Sequence, residues 1–398
     1  MRRVPGNREW VNGSEGRDGM SERRLALRTA AIVAALALMF GLAACGDDTV
    51  GGGGNDADVP TAKAGPVAGE LTISNWPGYI DPGPKGTVAE FEDETGVNVD
   101  YIEDINSNDG FFGKLQPQLE QGEAGGRSIF VVADYMAKQM YDLGYLQEID
   151  SNDLPTVFKT LRPSLESPEF DPQRKFSVPW QGGMTGIWVD TSKAPEIRSV
   201  NDLFDPKYRG KVTMLDELRE SPALVMLAEG VDPAEASDED WLKAIDKIKA
   251  AAESGQIRDF TGNEYTEDLT AGNIVAAIGW SGDASLIENK DAEWRMPTEG
   301  CTQWMENMVI PVGAPNTSAA LAWMDFVYQP EVAVDITAYV EYISPVQRVK
   351  ELLEKRGSEL AESEIVFPTE EFTKNCTGQN TPPDLERVNE AWQDVLTG

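Results

Sequence analysis

The sequence predicts an α/β fold with mostly parallel sheets. Two patterns carry that expectation: short apolar runs exchange regularly with helical stretches from residue 70 to the end, and the first segments form a β-α-β unit. With 398 residues, 41% of them hydrophobic, the chain can bury a sizeable core in two domains or one large one.

Residues 71–74 read as a short strand. Val88, Phe91 and the run 92–95 lie on a helical segment that Gly96 ends, because a glycine just past a helix turns left-handed without a Cβ clash. Residues 97–102 alternate as the next strand. Phe111, Phe112 and Leu115 mark a second helix, and the apolar run 129–132 a further strand. The same exchange continues through 211–215, 241–252, 274–280, 308–311 and 319–328, with no internal repeat.

The chain contains no histidine, which excludes Ser-His-Asp and Cys-His catalytic units and imidazole-ligated zinc or copper. Three cysteines are too few for a Cys₄ site or an iron–sulfur cluster, so neither a metal nor a cofactor is expected. Asp and Glu number 68 against 34 Lys and Arg, a formal charge of −34. Phosphate backbones repel such a surface, and nucleic acid is not expected as a partner.

Arg23, Arg24 and Arg28 precede an uncharged run over 29–44, which has the basic n-region and apolar h-region of a secretion signal and is short for a membrane span. It closes on Leu42-Ala43-Ala44-Cys45, which resembles a bacterial lipobox: small residues admit a peptidase, and the thiol accepts a diacylglycerol. Residues 1–44 are therefore expected to be a lipoprotein signal peptide, with Met20 the expected start of translation. The mature protein then begins at Cys45, lipid-anchored to the outer face of the cell membrane. Residues 45–69, rich in Gly, Asp and Pro, are expected to form a flexible tether of about 25 Å, at about 5–6 Å × √n. In an oxidising compartment Cys301 and Cys376 most simply pair as a disulfide; the alternative, a reactive thiol, has no neighbouring base.

In open α/β sheets ligands gather at the carboxyl ends of strands. Asn75, Trp76 and Tyr79 follow the first strand, and Asp134 and Tyr135 follow 129–132. Asp216, Glu217 and Glu220 follow 211–215, Trp280 and Asp283 follow 274–279, and Trp304 and Glu306 precede Met308. Aromatic faces and carboxylates recur together with hardly a basic side chain except Arg219. That chemistry suits a slender organic cation: rings attract ammonium groups by about 0.5–2 kcal/mol each, and carboxylates accept charge-assisted N–H bonds. If Glu217 and Glu220 begin a helix, their i, i+3 spacing sets both carboxylates on one face, where they repel each other unless a cation lies between them.

Together Asn75-Trp76-Pro77-Gly78-Tyr79, the run 91–97, Val132-Ala133-Asp134-Tyr135-Met136, Asp216-Glu217-Leu218-Arg219-Glu220, Glu299-Gly300-Cys301 and Trp304-Met305-Glu306 resemble the spermidine/putrescine-binding proteins of polyamine ABC transporters. The resemblance covers the chain from about Glu70 onward. It implies a periplasmic-binding-protein-like fold of the second structural type, in which two α/β lobes joined by crossing hinge strands close over ligand. One lobe is expected over 70–182 plus 307–345 and the other over 183–306 plus 346–398. The implied ligand set is Trp76, Tyr79, Asp134, Tyr135, Glu217, Glu220, Trp280, Asp283, Trp304, Glu306 and Tyr342, with Gln379 a looser match left outside it. The implied role is solute capture, not catalysis. A monomer binds a polyamine and delivers it to permease subunits driven by a cytoplasmic ATPase. Some family members carry an acid between the first Trp and Tyr, where this chain has Pro77 and Gly78, and Glu306 stands in place of the usual Asp, so spermidine and putrescine both stay open. Two other readings remain: a binding protein for another cationic or small nitrogenous solute, and a carboxylate-pair hydrolase, since a glycosidase needs only two acids.

Overall fold

The computed structural model describes residues 59–398; the expected signal peptide, Cys45 and the first part of the tether lie outside them. In chain order the strands are β1 (Glu70–Asn75), β2 (Asn98–Glu103), β3 (Ile129–Ala133), β4 (Val178–Asp190), β5 (Val212–Leu215), β6 (Ile257–Thr261), β7 (Ala276–Trp280), β8 (Ala292–Arg295), β9 (Thr302–Val309) and β10 (Thr377–Gly378). The helices are α1 (Thr87–Thr95), α2 (Asn108–Leu119), α3 (Asp134–Asp142), α4 (Pro155–Thr160), α5 (Ser221–Ala228), α6 (Asp238–Glu253), α7 (Tyr265–Ala271), α8 (Thr317–Phe326), α9 (Pro330–Val340), α10 (Val349–Arg356), α11 (Glu370–Thr373) and α12 (Leu385–Thr397).

The helix boundaries follow from caps. Gly96 sits at φ 71° and donates its N–H to the Glu92 carbonyl, closing α1 as the sequence predicts. Ser237 and Asp240 form a reciprocal capping box that starts α6, and the Asn316 side chain accepts the Ala319 N–H at the start of α8. In β3, β4, β5 and β7 every residue is buried, which is why the apolar runs do not alternate.

The sheet order is β2-β1-β3-β9-β4-β7-β5-β6. β2, β1 and β3 run parallel at one end, and β7, β5 and β6 run parallel at the other. Between them, β9 and β4 are antiparallel to each other and to β3 and β7, so these two strands carry the chain from one parallel group to the other. Ile343 adds a third crossing, exchanging backbone hydrogen bonds of 2.8 and 2.9 Å with Gly182. Two α/β lobes joined by crossing strands therefore form, as the resemblance implies.

Sequence patterning missed β4, because Gln181, Gly182 and Gly183 interrupt its apolar residues. The glycines there serve close approach: a Cβ on Gly183 would lie 2.6 Å from the Trp304 ring. The expected strand at 308–311 is only the tail of β9.

The structure bears on two expected boundaries. From Val59 onward the expected tether is tied to the folded body by hydrogen bonds although all but Thr61 and Ala62 are exposed: Ala62 is 1% exposed, its N–H donates to the Glu148 carbonyl at 2.8 Å, and Asn316 Nδ2 donates to the Ala68 carbonyl at 2.9 Å. Backbone hydrogen bonds anchor this segment even though its composition offers few apolar side chains. The first part of 346–398, expected in the second lobe, makes contacts with the first group of elements. Val346 bridges to Leu161, the Gln347 N–H donates to the Thr160 carbonyl, and α10 packs on α9. The chain comes back to the second group at Ser363, Ile365 and Val366, which line one cavity with Trp188, Ile287 and Trp294, then with β10, which pairs with β9, and α12, which packs on α6. Among the described residues no helix is long and apolar enough to cross a membrane.

Candidate functional site

The carboxyl ends of the parallel strands meet over the crossing strands. There Trp76, Tyr79, Glu217, Glu220, Trp280, Asp283, Trp304, Glu306 and Tyr342 line one narrow cavity. The walls touch: the Trp76 and Trp280 rings meet edge-on with centroids 5.5 Å apart, and Tyr79 meets Tyr342 at 5.0 Å. Each ring is held by its polar handle or its neighbours. Trp76 Nε1 donates to the Val131 carbonyl at 3.1 Å, Trp304 Nε1 donates to Thr185 Oγ1 at 3.1 Å, and Trp304 lies 5.5 Å from Tyr342.

The four carboxylates differ in how they are satisfied. Asp283 accepts from the hydroxyls of Tyr265 and Tyr342 and from Asn263 Nδ2, and burial still pushes it up to about 6. Tyr265 in turn accepts the Trp280 N–H, so one hydroxyl fixes both an acid and the backbone of an aromatic wall. Glu217 accepts the Asn108 N–H at 2.8 Å and the Tyr135 hydroxyl at 3.0 Å; burial, followed by the charges of Asp109 and Asp216, raises it to about 8. Glu220 is fully buried, accepts from Thr302 Oγ1 and Gln379 Nε2, and is raised by burial that these bonds partly offset. Glu306, 5% exposed, has Oε2 without any hydrogen-bond partner, and burial together with Glu217 and Asp134 holds it well above the usual carboxylate range.

Other polar atoms at the cavity are equally unmet: the Tyr79 hydroxyl, Asn263 Oδ1 and Gln379 Oε1. Asn263 and Gln379 each spend their amide N–H₂ on an acid, so their free atoms are acceptors. Among the described residues no Lys or Arg lines the cavity. Buried acids without a cation are costly, and the raised pKa values are one response; a cationic guest is the other.

Two expected site residues lie behind the wall. Asp134 accepts from Asn307 Nδ2 at 2.6 Å, and Tyr135 places its hydroxyl on Glu217 and its ring under Arg219. The expected helical pairing of Glu217 and Glu220 also needs correction. Glu217 sits in the loop after β5 and Glu220 caps α5, so the two carboxylates are held by different partners and do not face each other along a helix. Pro77, Asn108, Asn263 and Gln379 line the cavity and were not in the expected set. Asn108 and Asn263 follow β2 and β6, so applying the strand-end rule to those two strands finds them. Gln379 follows no apolar strand and reaches the cavity through Cys376, which is bonded to Cys301 as expected. Among the described residues no group of three or more Cys, Asp or Glu is placed to hold a metal ion.

Comparison with known proteins agrees with this geometry. The chain is 27% identical over 93% of its length to spermidine/putrescine-binding periplasmic protein 1 of Haemophilus influenzae, covering 97% of that protein. It is 28% identical to the putrescine-binding periplasmic protein PotF of Escherichia coli, over 82% of this chain and 91% of that one. The solved spermidine/putrescine ABC transporter substrate-binding protein PotD of Streptococcus pneumoniae superposes with a TM-score of 0.65 at 26% identity, over 82% of this chain and 97% of its own. The fold is thus periplasmic-binding-protein-like of the second type. The model of the bacterial extracellular solute-binding proteins matches residues 86–363, well over half of the sequence, and the chain belongs to that family.

Proposed function

We propose that this protein captures a polyamine, putrescine or spermidine, between its lobes. The observation that carries the reading is the set of unmet acceptors, Glu306 Oε2, Asn263 Oδ1 and Gln379 Oε1, in a cavity walled by Trp and Tyr and lined by no cation. Protonated amines supply N–H donors and charge to those atoms, and the methylene stem lies against the rings. A micromolar complex needs about 8 kcal/mol, which a few such contacts supply after ordering costs. The names of the relatives point the same way. A carboxylate-pair hydrolase has less support, since Glu217 and Asp283 already spend their oxygens on protein donors.

In this reading the mature lipoprotein is a monomer anchored through Cys45. It closes about the crossing strands and passes its cargo to permease subunits powered by a cytoplasmic ATPase. We assign 70–182 and 307–356 to the first lobe, and 183–306 with the later C-terminal segment to the second. The experiment is a thermal-shift panel of putrescine, spermidine, spermine, choline-type amines and amino acids on the mature protein, because a ligand that binds only the folded form raises Tm. Polyamines should give the largest shift. A shift with choline-type amines or amino acids and none with polyamines rejects the reading.

A further inference from the structure

Besides Thr185 on β4, two side chains that hold the Glu220 carboxylate sit beside a half-cystine. Thr302 Oγ1 donates to Glu220 Oε2, and Thr302 follows Cys301; Gln379 Nε2 donates to Glu220 Oε1, and Gln379 lies three residues past Cys376. Cys301 and Cys376 are joined across 75 residues. Between them the chain leaves the second lobe along β9, builds α8 against α4 and β1, α9 against α1 and α10 against α9, and then returns.

Past Gln379 the returning segment is anchored by α12, which packs on α6 and donates Trp392 Nε1 to the Asp216 carbonyl at 2.7 Å; on the near side, next to the bridge, it has only β10. β10 is a two-residue strand, Thr377 and Gly378 pairing with Thr302 and Gln303. Gly300 allows the close approach: at φ 121°, any Cβ there would lie 2.0 Å from the Asn375 carbonyl oxygen. Beyond the bridge, Gln379 reaches Glu220 and Thr381 Oγ1 accepts from Arg219 Nε at 3.2 Å, so this short stretch touches two adjacent groups of the β5–α5 loop. Bringing back the end of a long detour carries a loop-closure cost, and a covalent bond at its base removes that cost from the positioning of Gln379.

We infer that the Cys301–Cys376 disulfide is a positioning element of the ligand site, acting through Gln379 and Thr302 to orient the Glu220 carboxylate. The bond touches no guest itself. Its effect is to keep one acid aimed and its partner amide presenting a free acceptor, Gln379 Oε1, to the cavity. This rests on the polyamine reading above.

The test compares oxidised wild type with C301A/C376A, Q379A and the triple variant, reading putrescine and spermidine affinity by calorimetry alongside thermal melting. C301A/C376A is expected to melt cooperatively yet bind about 10-fold more weakly, and Q379A to lose a similar factor. The triple variant should lose no more than the double, because both changes release the same carboxylate. A bond that only staples the fold lowers Tm and leaves affinity unchanged, or gives losses that multiply in the triple variant; either result overturns the inference. A C301A/C376A protein that fails to fold also overturns it unless the same loss appears on opening the bond in folded wild type. That reduction uses dithiothreitol, which gives two electrons and two protons to yield two thiols and its own cyclic disulfide. No polyamine binding by oxidised wild type removes the parent reading and this one together, whereas binding by wild type with an unaffected double variant removes this one alone.

Discussion

The guanidinium of Arg219 lies 3.6 Å from the centroid of the Tyr135 ring, although the two residues belong to different lobes. Arg219, 2% exposed, comes from the loop after β5, and Tyr135 from the first turn of α3. The same loop carries Glu217, which accepts from the Tyr135 hydroxyl and from the Asn108 backbone. The lobes are thus clasped by protein groups beside the cavity. A desolvated cation–π contact contributes about 2 kcal/mol, and Asp109, 3.9 Å from Arg219, loses its counter-charge if Arg219 is removed. R219A should therefore weaken ligand affinity by about 10-fold or more while the protein still folds. Calorimetry with the melting curve measured in parallel checks this; unchanged affinity would remove the clasp from the account.

Glu306→Gln separates stability from function. With Oε2 unpartnered and buried, the ionised side chain costs the empty protein free energy, and an amide of the same shape carries no charge. The variant should melt no lower than wild type without ligand. Its affinity should fall by about 3 kcal/mol, since an amine loses its buried counter-charge. A variant that binds as wild type would place the amine elsewhere.

The pH dependence has opposite signs with and without guest. Burial raises Glu217 to about 8 and Asp283 to about 6, so the empty folded protein holds protons that the unfolded chain has already released. Where the folded state binds more protons, stability falls as pH rises, here from the ordinary carboxylate range up to about 8. A polycation favours the ionised acids, so binding releases protons and tightens as pH rises through the same window. Melting curves at pH 5.5 and 8, with and without spermidine, should show a ligand-induced increase in Tm that grows with pH. A shift that shrinks with pH would contradict the assignment of these acids to the guest.

Gly183→Ala tests the aromatic wall from behind. The added Cβ would meet Trp304 ring carbons at 2.6 and 2.9 Å and Tyr342 at 3.0 Å, so the indole must move into the cavity. The affinity should drop by about 10-fold, with Trp fluorescence altered in the empty protein. Trp304→Ala, which removes the wall instead, should also lower affinity without unfolding, because Trp304 is only partly buried.

Much of the site was legible because parallel strands aim their carboxyl ends the same way. Trp76, Glu217, Trp280 and Asp283 each follow an apolar run that could be recognised alone, and all line the cavity. Asp134 obeys the same rule yet lies behind the wall, because Asn307 on β9 takes its carboxylate. Adjacency to a strand end places a residue at the rim; it does not orient the side chain. Gln379 shows the opposite case, reaching Glu220 only because a disulfide and a two-residue bridge return a distant segment.

By itself the sequence determined the α/β class, the β-α-β opening, the helix stop at Gly96 and the pairing of acids with aromatic rings near strand ends, since periodicity, caps and residue chemistry are local properties. Only the tertiary structure decided which acids are already satisfied and which are left open, where the chain crosses between lobes, and that residues 59–69 are hydrogen-bonded to the body. Those outcomes depend on partners far apart in the chain, 82 residues for Tyr135 with Glu217 and 248 for Asn316 with Ala68, and no local pattern encodes a hydrogen bond whose two ends meet only after folding.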